Sequence, residues 1–208
     1  FLANGQGFNT GYKTAIINLS DENKRLHRKA AEFMNVASRL SLDNMRFCDG
    51  ITDREKLKNY AERLCKREIP ARKNTGKGKR QKRFLSAISP DGIVVQYDTI
   101  VALSEKIITI KDDVSICAPF IMDYVSEYAR SNGYMVYECY CPLFPTAKIE
   151  HVIIPELKIC FFTETSAHKT LINEEKVTHA TRFLNKDALY EIKETLSFNK
   201  KAQAEMLS

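Results

Sequence analysis

Residues 105–134, EKIITIKDDVSICAPFIMDYVSEYARSNGY, constrain the fold more than any other stretch. An apolar, β-branched run at 106–110 reads as a strand, a short loop follows, and an amphipathic helix over about 119–131 closes on Asn132 and Gly133. Further strands are expected at 134–139 and, very apolar, at 158–163. Strand, helix, strand in this order implies a right-handed βαβ unit and a mainly parallel sheet, so the fold class is α/β. The loop is the odd part. In this layout it is commonly a glycine-rich cradle whose amides hold phosphate, yet here it reads KDDVSICAP, without glycine.

The rest of the chain is organised around that frame. The first fifteen residues, with Gly5, Gly7 and Gly11, read as loop. From Ser20, as N-cap, a helix carries Leu26, Ala30, Phe33, Ala37 and Leu40 on one stripe, with Asp21 and Glu22 in its first turn. Thr52 and Glu55 have capping-box spacing, and Leu57, Ala61 and Leu64 continue a second helix until Pro70 stops it. Residues 1–70 are therefore expected to form a helical hairpin. Residues 71–83 have no apolar side chain after Ala71 and read as a solvated, mobile basic linker. The runs RFLSAI and GIVVQY form a β-hairpin around Ser89, Pro90, Asp91 and Gly92, a type I turn sequence. A last helix is expected from Asp187 onward, and its approach, FLNK, shares with INLS near the N-terminus the order apolar pair, Asn, polar cap, helix.

Composition narrows the function. With 208 residues and 44% hydrophobic content the chain can bury a real core. The net charge of +6 is local, because Arg72, Lys73, Lys77, Lys79, Arg80, Lys82 and Arg83 all lie in the linker. Of these, Lys77, Lys79, Arg80, Lys82 and Arg83 are the candidates for contacting nucleic-acid phosphates, although no aromatic residue is interleaved to stack bases. NTGKGKR at 74–80 lacks the preceding strand, following helix and Gly-Lys-Ser/Thr ending of a phosphate loop, and reads as linker. Six cysteines without paired metal spacing or a leader point to reduced thiols in the cytoplasm, and Cys139 and Cys141 to small buried thiols rather than a zinc site. The histidines His27, His151, His168 and His179 show no ligand spacing, so no metal site is expected. No run is long enough for a membrane span.

RFLSAISPDGIVVQYDTI, the strand-loop-helix, and SNGYMVYECYCPLFPTAKIEHVIIPELKICFFTETSAH together resemble the second half of an uncharacterised bacterial P-loop NTPase family built from two tandem ATP-binding halves. The resemblance covers about residues 83–170. Its motifs are GY before a strand, CP, and IIPEL leading to an apolar strand with a Ser/Thr-x-His ending. GYKTAIINLSDENKRL resembles the end of the family's first half, which implies a phosphate-binding domain upstream of Phe1. For the family the resemblance implies ATP, magnesium and ATPase activity. For this chain it implies a P-loop NTPase-like domain at 84–208, partnered within or between chains by an ATP-binding half.

The loop departs from that pattern. Lys111 aligns before the family's glycine-rich loop without a gap. Asp112, Ser115 and Cys117 then stand at glycine positions, Ala118 at the phosphate-contacting lysine and Pro119 at the Ser/Thr that holds magnesium. Alanine supplies no charge to the phosphates, and proline has neither hydroxyl nor N–H. Asp112 and Asp113 add negative charge where triphosphate would sit. Pro119 suits a first helical turn, and Asp112 or Ser115 is placed to satisfy amides near it. Glu164, after the apolar strand, is the candidate Walker B acid, and His168 lies just beyond. The expected function is a non-hydrolysing structural or regulatory half, with a degenerate phosphate loop, of an ATP-binding protein. Its rivals are an active nucleotide-dependent ATPase or kinase-like enzyme, and a nucleic-acid-binding module using the basic linker.

Overall fold

A computed structural model describes residues 12–73, 76–89, 92–166, 169 and 176–207. The protein is α/β, with a mostly parallel six-stranded sheet flanked by helices and a long N-terminal helix. The helices are α1 (Lys13–Asp49), α2 (Arg54–Glu68), α3 (Tyr97–Leu103), α4 (Cys117–Ser131), α5 (Lys186–Glu191) and α6 (Lys193–Met206). The strands are β1 (Arg80–Arg83), β2 (Ser86–Ser89), β3 (Gly92–Val95), β4 (Lys106–Lys111), β5 (Val136–Tyr140), β6 (Ile149–Ile154), β7 (Ile159–Glu164) and β8 (Lys176–His179). Among the described residues no helix is long and apolar enough to cross a membrane.

The main sheet has the order β1-β5-β6-β7-β4-β8, and β6 alone runs against its neighbours. Strand alternation splits its apolar side chains between two cores. Ile108, Ile110, Val152, Ile154 and Phe161 pack with α2, α4 and the turn containing Phe183. Ile107, Ile153, Cys160 and Phe162 pack with Leu85, Val95 and Ile100 from the β2–β3 hairpin and α3. The hairpin matches expectation in its strands, Ser86 pairing with Val95 and Ser89 with Gly92; the turn residues Pro90 and Asp91 lie outside the described residues.

Several expectations are corrected. α1 begins at Lys13, so residues 13–15 are helical rather than loop and Ser20 lies inside the helix. No Gly or Pro falls between Lys13 and Ser20, and nothing breaks the helix before that serine. The cap of α2 is Asp53, whose Oδ1 accepts from Lys56 N–H at 2.9 Å. Thr52 instead donates its hydroxyl to Cys48 O at 2.6 Å, serving the end of α1. α1 packs on α6 and α2 on α4, where a helical hairpin would have packed the two on each other. β4 and β5, the ends of the expected βαβ unit, run the same way but are separated by β6 and β7.

The basic segment is not a free linker. Arg80–Arg83 form edge strand β1 beside β5, and Val136 N–H donates to Lys79 O at 3.0 Å. Gly78 N–H donates to Arg130 O at 2.7 Å, and a Cβ there would stand 2.0 Å from Tyr134 O, so only glycine fits. The C-terminal helix is broken at Ile192 into α5 and α6. Asn185 caps α5 by accepting from Asp187 and Ala188 N–H, whereas the similarly placed Asn18 is inside α1. The likeness between the chain ends therefore does not extend to local structure.

Candidate functional site

The loop between β4 and α4 lies at the carboxyl end of the sheet, where α/β proteins place their sites. Asp112 N–H donates to Glu164 O at 2.9 Å, prolonging the β4–β7 ladder by one residue. The Asp112 side chain then turns into the loop. Its Oδ1 accepts from Val114 N–H at 3.2 Å and Ser115 N–H at 3.0 Å. Its Oδ2 accepts from Cys117 N–H at 2.8 Å and Ala118 N–H at 2.7 Å. Cys117 and Ala118 open α4, where backbone N–H groups have no acceptor within the helix and the dipole favours negative charge. The carboxylate, 1% exposed, thus holds the position in which such a nest of amides would bind an external anion.

Ser115 supplies the reversal that aims these amides inward. Its φ of +58° is in the left-handed region that glycine adopts freely and other residues at a cost of about 1–2 kcal/mol. This is one of the positions that the resemblance assigns to glycine. Of the two groups expected to satisfy the nearby amides, Asp112 does so; Ser115 takes part through its backbone N–H. Pro119 sits in the first turn of α4, where its missing N–H is not needed.

The two aspartates have separate tasks. Asp113 faces outward, accepts from Ser166 N–H at 2.6 Å, and lies 3.9 Å from Lys200 Nζ of α6. Lys111 and Glu164 are register partners, with Nζ and Oε1 3.2 Å apart. Cys117 is buried against Ala180 O, and its thiol is pushed upward by burial and then by the charge of Asp112. Ala118 is fully buried. His168 lies outside the described residues, while His179 ends β8 opposite Lys111.

A cavity of about 320 Å³ opens beside the loop, lined by Asp113, Ser115, Lys148, Glu150, Ser166 and Lys200. A second, of about 290 Å³, is lined by Lys111, Glu164, Lys169, His179 and Thr181. Lys148 precedes and Glu150 lies in β6, a strand that no uninterrupted apolar run marks in the sequence. They are only 7% and 4% exposed. Glu150 accepts from Ser86 Oγ at 2.8 Å, and Lys148 Nζ lies 5.8 Å from the Phe144 ring centre. Behind them, His151 accepts at Nδ1 from Thr163 N–H at 3.1 Å and stacks on Phe162 at 4.3 Å. The only available signal was the alternation of charge with apolar residues in KIEHVII.

The cationic candidates for nucleic acid are mostly engaged. Lys77 pairs with Glu127 at 2.5 Å and Arg80 reaches Glu138 at 3.8 Å. Lys82 lies over Tyr140 at 4.8 Å and Arg83 over Tyr137 at 5.5 Å, aromatic partners supplied by β5 that the linear sequence did not reveal. Lys79 is exposed. All six cysteines are buried free thiols. Burial pushes Cys139 up to about 12 and Cys141 to about 11, away from nucleophilic thiolate. Among the described residues no group of three or more His, Cys, Asp or Glu is placed to hold a metal ion.

Fold and site together define an α/β domain with a nest of backbone amides at the end of β4, an interior strand next to the sheet edge, filled by the chain's own carboxylate. Comparisons with protein-family models, curated proteins and solved structures gave no match.

Proposed function

We propose that this chain is a P-loop NTPase-like domain that has given up nucleotide chemistry and serves as a non-hydrolysing structural or regulatory half beside an ATP-binding P-loop half. The observation that carries this reading is the Asp112 carboxylate bound by four backbone N–H groups. An incoming phosphate would have to displace it. Were both to remain, each like-charge contact at about 4 Å would cost roughly 4 kcal/mol at an effective dielectric near 20. Ala118 and Pro119 offer neither the cation nor the hydroxyl that would offset that cost. The retained glycine-like conformation of Ser115 and the placement of Glu164 beside the loop support descent from a working cradle.

The test is thermal unfolding and phosphate release with millimolar magnesium ATP. The wild-type chain should show no shift in melting temperature and no hydrolysis. The triple change Asp112→Gly, Ala118→Lys, Pro119→Thr should acquire a nucleotide-dependent shift. Hydrolysis by the wild-type chain that disappears on substituting Asp112 would overturn the reading.

A further inference from the structure

Only the C-terminal part of α1 packs on the body: every residue from 12 to 33 is exposed. That is roughly 33 Å of helix without tertiary support, although most helical stability in proteins comes from packing an apolar face. It nevertheless carries a regular seam. Ile16, Leu19, Asn23, Leu26, Ala30, Phe33, Ala37 and Leu40 alternate spacings of three and four, the a and d positions of a heptad. Leu19 is 71% exposed, Leu26 52% and Phe33 53%.

This seam continues an interface already in use. Eighteen residues make five helical turns, so Leu19, Leu26 and Ala30 lie in line with Ala37, Asn44 and Cys48, the buried residues of α1. On the occupied part, Asn199 Nδ2 donates to Asn44 Oδ1 at 2.8 Å and Asn44 Nδ2 to Leu196 O at 3.4 Å. Ser41 shares a cavity wall with Gln203, Ala204 and Leu207, so α6 runs antiparallel to α1 and ends at Met206 as the exposed seam begins.

We propose that the exposed half of α1 is a self-association surface, covered by the α1 helix of a second copy in antiparallel orientation. Two observations select this occupant. The seam is free over one length and blocked by the body from Ala37 onward, so two parallel copies would bring both α6 helices to the same level of the shared seam. Antiparallel copies place each body at opposite ends. That pairing sets Ile16 against Phe33 of the second copy, Leu19 against Ala30, and Asn23 against Leu26, with the two Asn23 side chains in adjacent central layers. Flanking the seam, Glu22 then meets Lys29 of the second copy twice by symmetry. A parallel pair would offer Glu22 only His27 and leave Lys29 beside Met34.

Sedimentation and light scattering of the whole chain from about 1 to 100 µM should show a monomer–dimer equilibrium. Leu26→Gln with Phe33→Gln, which keeps helix propensity and touches no buried residue, should leave a monomer with an unchanged body. Glu22→Lys should weaken the dimer several-fold, and adding Lys29→Glu should restore it. Mixed Glu22→Cys and Lys29→Cys chains should form disulfides between positions 22 and 29. A monomer throughout, a dimer indifferent to Leu26→Gln with Phe33→Gln, or disulfides mainly between two copies of position 22, would overturn the proposal.

Discussion

Replacing Asp112 by alanine tests the loop most directly. The carboxylate is 1% exposed and is the acceptor for N–H groups of Val114, Ser115, Cys117 and Ala118. A hydrogen bond to a charged group contributes about 1.5–3 kcal/mol, and such contributions are not additive within one network. The amides of Val114 and Ser115, at 3.2 and 3.0 Å, belong to residues that line a cavity, where water can replace the lost acceptor. Those of Cys117 and Ala118, at 2.8 and 2.7 Å, belong to fully buried residues. Counting chiefly these two, Asp112→Ala should cost about 3–5 kcal/mol, a large part of the 5–15 kcal/mol typical of a folded domain. Urea unfolding should show a lower midpoint at unchanged slope. Asp112→Asn keeps one carbonyl acceptor and should lose about half as much. The emptied cradle should also gain an affinity for inorganic phosphate, which at a hundredfold excess over its Kd would restore about 2.7 kcal/mol to the alanine variant and nothing to the wild type. An alanine variant within about 0.5 kcal/mol of wild type, or phosphate stabilising both alike, would refute the reasoning.

Other residues give independent tests. The Glu68 side chain, 3% exposed, lies 2.7 Å from Lys176, 3.0 Å from Lys106 and 2.6 Å from Arg67; burial alone would raise its pKa, but the three cations prevail and bring it to about 2. Because the folded value lies below the unfolded one near 4.5, the carboxylate stabilises the fold above pH about 4.5 and loses that contribution as pH falls toward 2. Unfolding free energies of Glu68→Gln from urea titrations should therefore sit about 2–3 kcal/mol below wild type at pH 7 and converge with it in acid, and a constant difference across that range would count against the clamp. Gly78→Ala forces a methyl into Tyr134 O, so thermal unfolding should reveal a loss of about 1–3 kcal/mol; an unchanged melting temperature would show that β1 is not held as described. Ser115→Gly relieves the positive φ and should gain up to about 1 kcal/mol in the same assay, whereas destabilisation would mean that the serine side chain supports the loop.

Elements whose cause is local were legible, and those whose cause is distant were not. β4 and β7 announce themselves through apolar runs at Ile107 to Ile110 and Ile159 to Phe162. β6 is fully buried too, but Glu150 and His151 interrupt its run, and contacts with Ser86, Thr163 and Phe162 from other strands help make those polar groups tolerable. β1 is made of Arg, Gln, Lys and Arg, a composition that reads as solvent; it becomes a strand because β5 offers a ladder and two tyrosine faces, and a charged edge suits an outer strand.

The loop shows the same division within one site. Sequence alone located it, because a strand, a helix with an Asn-Gly end and the spacing between them fix where a cradle belongs. Residue types alone also show that Ala118 and Pro119 carry neither a cation nor a hydroxyl, wherever they point. What it did not contain was the start of α4 at Cys117, two residues before the expected Pro119. Helix-capping rules search one to three residues ahead of the first turn. Asp112 acts from five and six residues ahead, and it reaches because Ser115 bends the chain back through a positive φ. An acid that fills an amide nest of its own chain is therefore recognisable from residue types only when paired with the backbone turn that delivers it. The same pairing separates an amide nest filled by its own chain from one left open to solvent.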